Sequence, residues 1–292
     1  MAETVQHLLQ LLDLERIDDN LFRADNEDPA RRRVFGGQVL AQALIAAART
    51  VEGRAAHSLH AYFLRPGDPS AKIVYDVERI RDGGSFTTRR VVARQHGQPI
   101  FSMSASFQIE ESGFEHSDPM PAVPAPEALE SELDYHRRLA PRLPEKIRGA
   151  FTRERPIEIR PVQPLDLLAP EVGPAQRDFW IRTGVELPDD PLIHQALFAY
   201  ASDMHLLVTA LLPHGVTYLN RNLQLASIDH AMWFHRPFRM DDWLLYATDS
   251  PSASGARGFT RGALFDRNGV RVASTTQEGL TRMRQPAPKP QA

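Results

Sequence analysis

Three short patterns occur twice in this chain, in the same order and at nearly the same spacing. Ala61-Tyr62-Phe63-Leu64-Arg65-Pro66 is matched by Met232-Trp233-Phe234-His235-Arg236-Pro237. Ser85-Phe86-Thr87-Thr88-Arg89-Arg90 is matched by Gly258-Phe259-Thr260-Arg261. Gly97 with Ile100-Phe101-Ser102-Met103-Ser104-Ala105 is matched by Gly269 with Val272-Ala273-Ser274-Thr275-Thr276-Gln277. Pro66 to Pro237 and Arg90 to Arg261 both span 171 residues, and Gly97 to Gly269 spans 172. Each match alone is weak, but three in order at one offset imply a duplicated unit. A duplication is a strong constraint, because both copies must bury the same faces.

The expected elements repeat as well. Val39 to Thr50 is rich in Ala and Leu with no β-branched run, which predicts a helix. Apolar residues lie on nearly all its faces, broken by Gln42, so this helix should be buried. Gly36-Gly37 before it permits a sharp turn or a close approach. Strands are expected at Leu59–Leu64, Ile73–Arg79, Ser85–Arg94 and Pro99–Ile109, with turns at Gly83-Gly84 and His96-Gly97. The second half should place its helix over Ser202–Leu212. Its strands should fall at Met232–Phe234, Leu244–Thr248, Gly258–Asp266 and Val270–Gln277, with an Asn268-Gly269 hairpin. A helix followed by an antiparallel meander, twice, reads as an α+β double unit. Each sheet wraps its helix, and the two sheets join edge to edge, removing an exposed edge.

Of the 23 prolines, ten lie between Pro119 and Pro170, so residues 116–170 read as a Pro-rich linker whose start, His116 to Pro126, is extended. The expected organisation is an N-terminal unit at 1–115, this linker, a C-terminal unit at 171–284 and a disordered tail at 285–292. The chain of 292 residues is 42% hydrophobic with a net charge of −3, an ordinary globular composition. The absence of cysteine excludes a disulfide framework, a cysteine nucleophile and a Cys₂His₂ zinc site. Near-neutral charge argues against a nucleic-acid partner. No uninterrupted apolar run exceeds six residues, so no membrane insertion is expected. Neither end reads as a secretory signal, a prenylation box or a peroxisomal address, and the expected compartment is the cytoplasm.

Motifs for a nucleophile elbow or a phosphate loop do not occur. His57 and His60, or His230 and His235, fit no standard metal spacing, so neither metal nor cofactor is expected. Three polar positions remain. Asp203, expected at the start of the second helix, is either an N-cap or a carboxylate stabilised by that helix's dipole. Gln38 holds the matching place in the first unit, so only one copy carries the acid. Gln277 ends a strand and aligns with Ala105, either as a solvent-facing residue or as part of a site made once. Ser227 opens the strand that matches the Ala61 region and on its own is an ordinary loop serine.

At this point the chain resembles the acyl-CoA thioesterase II family of double-hotdog proteins, from about Val5 to Gly279. The resemblance rests on Val34-Phe35-Gly36-Gly37-Gln38-Val39, on His60 through Asp68, and on Ile228-Asp229-His230-Ala231-Met232-Trp233-Phe234-His235-Arg236-Pro237-Phe238. Ser252-Ala253-Ser254, Ala256-Arg257-Gly258-Phe259 and Ala273-Ser274-Thr275-Thr276-Gln277-Glu278-Gly279 complete it. It implies hydrolysis of fatty acyl-CoA to free acid and CoA. The implied catalytic residues are an Asp at the start of the second helix, a hydroxyl opening the Ile-Asp-His strand and a Gln at the end of the last strand. In this chain these are Asp203, Ser227 and Gln277. Bacterial members often carry Thr at the middle position, where Ser227 keeps the hydroxyl and loses the stiffer χ1. The expected substrate contacts are the Gly37 and Gln38 amides as oxyanion donors, His60, Met232 in an acyl tunnel, and Arg257 near a CoA phosphate. Core packing for Met232 and solvation for Arg257 are the ordinary alternatives. A homo-oligomer, dimer or tetramer, is expected. The competing readings are a hotdog-type hydratase or dehydratase using Asp229-His230, and a non-catalytic acyl-CoA-binding protein.

Overall fold

A computed structural model describes residues 1–28 and 32–284, and the tail expected at 285–292 lies outside the described residues. The first half contains α1 (Ala2–Leu12), β1 (Glu15–Asp18), β2 (Leu21–Ala24), α2 (Gly36–Ala48), β3 (Ala55–Phe63), β4 (Ile73–Asp82), β5 (Phe86–Gln95) and β6 (Gln98–Gln108). The second contains α3 (Glu132–Leu139), α4 (Glu145–Thr152), β7 (Glu158–Pro161), β8 (Gln176–Arg182), α5 (Pro191–Ser202), β9 (Leu223–Ser227), β10 (Asp229–Phe234), β11 (Leu244–Ser254), β12 (Arg257–Phe265) and β13 (Arg271–Met283). The strands form one sheet in the order β1-β2-β4-β5-β6-β3-β10-β13-β12-β11-β8-β7, with β9 also on β13. This is the double-hotdog α+β architecture.

The halves join where β3 and β10 run antiparallel, Tyr62 opposite Asp229 and Leu59 opposite Met232. Two strands that would be sheet edges thus cover each other. In α2 every residue from Gly37 to Ala47 is buried, and the helix touches β2, β3, β4, β5 and β6. A helix enclosed in this way needs no polar face, which explains its all-round apolar sequence. Its polar exceptions are satisfied: Gln42 donates to Leu11 O at 2.8 Å and accepts from Tyr75 Oη at 2.7 Å.

The second helix is not where its sequence suggests. It runs over Pro191–Ser202 and is followed by a 3₁₀ helix, Leu206–His214. Asp190 caps it by accepting from Leu192 N at 2.9 Å, with Pro191 in the first turn, where a missing N–H costs nothing. Asp203 is therefore the C-cap of α5, with φ −83° and ψ −4°, and not an N-cap. Tyr200-Ala201-Ser202-Asp203 ends a helix, whereas Phe35-Gly36-Gly37-Gln38 begins one, so the expected alignment of these segments fails. Pro191 to His214 is long and apolar enough to cross a bilayer, but it is largely buried inside the protein.

The 116–170 segment, expected as a linker, carries α3, α4 and β7. Its proline-dense start has no regular element before Pro126 but is not loose. Trp180 Nε1 donates to Pro124 O at 2.9 Å, and Met120 and Val123 pack on Trp180 and Trp243.

Candidate active site

Asp203, Ser227 and Gln277 come from the end of α5, the end of β9 and the middle of β13, and they meet at one carboxylate. Ser227 Oγ donates to Asp203 Oδ1 at 3.1 Å, and Gln277 Nε2 donates to the same oxygen at 2.7 Å. The Gly37 amide donates to the carboxylate as well. The strand bearing Gln277 continues to Met283, so this residue is neither terminal nor solvent-facing; it is 0% exposed.

The dipole argument for Asp203 holds for a different helix. At the C-terminus of α5 a negative charge is disfavoured by that helix, but it faces the N-terminal turn of α2, whose first amides lack intrahelical acceptors. The contact requires glycine. A Cβ on Gly36 would sit 2.6 Å from Asp203 Oδ2, and one on Gly37 would sit 2.3 Å from Tyr200 O. Burial pushes the Asp203 carboxyl above its ordinary value, against the lowering effect of Gln277, Ser227, the Gly37 amide and the Arg33 charge.

Asp203 and Ser227 open on a cavity of about 550 Å³. Asp203 is the single carboxylate among the described residues lining it. Val39, Phe63, Phe101, Leu207 and Val208 supply apolar wall, and Arg32, Arg33 and Arg65 supply positive charge. Gln277 does not line the cavity and holds Asp203 from behind. The arrangement gives a half-buried carboxylate, oriented on one oxygen by an amide and a hydroxyl, facing a space that is apolar on one side and cationic on the other.

The expected substrate contacts fare unevenly. The Gly37 amide is engaged by Asp203, so the oxyanion role expected for it is not the one this structure gives it. The expected role of Gln38 is its backbone amide, in the first turn of α2; its side chain takes no part, donating to Asp25 O, Asn26 Oδ1 and Gln42 Oε1 and accepting from Glu27 N. His60 is exposed and packs edge-on against Trp233, outside the cavity lining. Met232 is 0% exposed within the core and outside the cavity lining, and Trp233 points to the opposite side of β10. Arg257 is exposed and paired with Glu278 at 2.9 Å, also outside the lining. The pair Asp229-His230, needed by a hydratase, lies on consecutive strand positions and so faces opposite sides of the sheet. No group of three or more potential metal-ligating side chains occurs among the described residues.

Two histidines to which sequence reasoning assigned no part in this site adjoin it. His205 lines the cavity, and its Nε2 meets Glu132 Oε2 of α3 at 3.1 Å. His230 accepts from Gln277 Nε2 at Nδ1, at 3.1 Å. The signal for His230 was present: it stands where the first unit has Leu59, as Gln277 stands where it has Ala105.

Fold and site together define a double-hotdog protein whose cavity carries a carboxylate held by a hydroxyl and an amide. Comparison with known proteins carries this further. Family models described as acyl-CoA thioesterase and acyl-CoA thioesterase N-terminal domain match residues 147–280 and 24–108. Acyl-CoA thioesterase 2 of Haemophilus influenzae is 44% identical over 97% of this chain and 99% of its own length. Human acyl-coenzyme A thioesterase 8 is 42% identical over 94% of this chain and 88% of its own. The crystal structure of an acyl-CoA thioesterase II from Mycobacterium marinum, 45% identical, superposes with a TM-score of 0.77 over 96% of this chain and 99% of that one. The chain belongs to the acyl-CoA thioesterase family of thioester hydrolases.

Proposed function

We propose that this protein hydrolyses fatty acyl-CoA thioesters to the free acid and CoA, using water activated by Asp203. The observation that carries the reading is the Asp203 carboxylate, alone of its kind among the described residues lining a cavity that is apolar on one wall and arginine-bearing on another. The apolar wall suits an acyl chain, and Arg32, Arg33 and Arg65 suit the phosphates of CoA. A thioester carbonyl is weakly resonance-stabilised and a thiolate leaves readily, so the reaction needs no covalent nucleophile.

Water at the carboxylate gives its proton to Asp203 as its oxygen bonds to the thioester carbon. The C–S bond then breaks, and the departing thiolate recovers the proton. Ser227 and Gln277, both donating to Oδ1, fix the carboxylate so that the remaining lone pairs face the cavity. The upward displacement of the Asp203 pKa by burial makes the carboxylate a stronger base, which general-base catalysis uses.

The test measures thiol release from a panel of saturated acyl-CoAs. The wild type should turn over, and folded Asp203→Asn should lose at least ~10²-fold in kcat, the scale of general-base catalysis. Near-wild-type kcat in that variant would remove Asp203 as the base. Tight acyl-CoA binding without any wild-type turnover would instead identify a binding protein.

A further inference from the structure

His230 does not reach the cavity and is 0% exposed, yet both of its ring nitrogens are engaged at the site. On β10 and β13, Ala231 lies opposite Thr276. One step along, that register sets His230 against Gln277. The equivalent cross-strand pair in the first unit is Leu59 and Ala105, both buried and apolar. The fold therefore accepts hydrocarbon at this place, and the second unit has exchanged it for an imidazole and an amide.

The direction of each hydrogen bond follows from chemistry. A carboxylate only accepts, so the amide nitrogen of Gln277 faces Asp203, at 2.7 Å. The same NH₂ group lies 3.1 Å from His230 Nδ1, which must then be the unprotonated nitrogen. The ring proton is on Nε2 and is donated to Ser202 Oγ at 3.0 Å, whose hydroxyl donates to Ala199 O at 3.0 Å. This chain ends in the last turn of α5, beside Asp203.

A primary amide can turn by half a rotation at little steric cost. Turned, Gln277 would set its carbonyl oxygen against the carboxylate, acceptor against acceptor. Gln277 Oε1 is buried with no hydrogen-bond partner among the described residues, so that end does not fix the amide. We propose that His230 is a positioning residue, locking the Gln277 amide with its NH₂ toward Asp203. The proposal rests on Asp203 being the base. It requires a neutral ring, since a protonated Nδ1 would oppose the amide as a second donor; burial supplies this by holding the His230 pKa at about 3.

The test is a double-mutant cycle on the full chain, reading kcat, KM and the acid limb of kcat/KM. His230→Leu should lower kcat by ~10–100-fold, the range for a small misplacement of a catalytic group, with KM within about threefold. In a Gln277→Ala background it should do almost nothing further. The acid limb should move to higher pH in both single variants, because Asp203 loses a donor. The other groups facing it, Arg33, Ser227 and the Gly37 amide, stay in place, and the nearby Tyr246 phenol stays neutral. Additive losses from His230→Leu and Gln277→Ala, beside an inactive Asp203→Asn, would overturn the positioning role while sparing the base. An active Asp203→Asn would overturn both. If His230→Leu fails to fold, His230→Asn and His230→Gln decide. Asn carries an acceptor near the Nδ1 position and should stay near wild type, whereas Gln places its polar end at Nε2 and should show the loss. Equal activity in the two would overturn the proposal.

Discussion

Asp203 is held by a contact that tolerates no side chain on its other face. With Gly36 against its Oδ2 and Gly37 against Tyr200 O, adding one methyl group displaces either the carboxylate or the helix start. Gly36→Ala should lower kcat by about 10²-fold through misplacement of the base, at a stability cost of ~1–3 kcal/mol typical of overpacking. Steady-state kinetics with a parallel thermal melt separates the two effects. The raised pKa of Asp203 makes a second prediction, about stability. A carboxyl whose folded pKa lies above its unfolded value contributes stability below the unfolded pKa and loses it as pH rises through the folded pKa. Asparagine does not titrate, so Tm of Asp203→Asn minus Tm of the wild type should become more positive as pH rises from about 4 to 8. A flat difference would mean that the carboxylate is not strained. Gln277 was legible in the sequence because the duplicated unit supplies a matched position, Ala105, that lacks the group, whereas the match read for Asp203 fails in the structure and that residue was reached through the family resemblance. His230 was legible on the same comparison with Leu59. The Gly37 contact was not, because a backbone amide leaves no mark of its partner in a sequence.

Helix α5 shows where pattern reading fails at the level of elements. From Pro191 to His214 the chain is apolar nearly throughout, so periodicity cannot mark where the α-helix stops and the 3₁₀ helix begins. Ser202-Asp203 then reads as a cap in the wrong direction. The true start, Asp190-Pro191, carries both the side-chain cap and the first-turn proline, and these punctuators outweigh the pattern that follows. Helix α3 was hidden for a different reason: its role depends on contacts distant in sequence. Its Glu132 joins Arg177 at 3.4 Å and His205 at 3.1 Å, tying the proline-rich segment to the wall of the cavity. Burial alone would raise the Glu132 pKa, but His205, Arg177 and Arg155 outweigh it and hold this carboxyl far below the ordinary range. Glu132→Ala leaves His205 and Arg177 buried without their anion, and the expected cost is ~3–5 kcal/mol. The sign with pH is opposite to that of Asp203. A depressed folded pKa gives stability that is present above the unfolded value and lost as pH falls, so the gap between wild type and Glu132→Gln should be full at pH 7. It should narrow below about 4.5, the ordinary glutamate value. Thermal melts across that range check it.

At the scale of the whole molecule, duplication has been followed by division of labour. The second unit supplies the carboxylate, hydroxyl and amide, and the first supplies the helix N-terminus that receives the charge, along with Val39, Phe63 and Phe101 of the cavity wall. The repeat spacing made the edge-to-edge sheet legible, since two sister units that each end in an open strand are best closed by each other. It could not show that the site draws on both units, because α2 and α5 meet across the interior, Gly37 beside Tyr200, at positions far apart in the chain that no local pattern links. The second unit on its own would keep Asp203, Ser227 and Gln277 but lose the Gly37 amide, much of the cavity wall with Arg32, Arg33 and Arg65, and the strand covering β10. Residues 116–292 produced alone should therefore release no thiol from acyl-CoA, and residues 1–115 alone should release none. Producing the two fragments together should restore turnover, because β3 and β10 present complementary edges and α2 and α5 complementary faces. Turnover by 116–292 alone would show that the first unit is a scaffold only, and that the amide of Gly37 has no part in the chemistry.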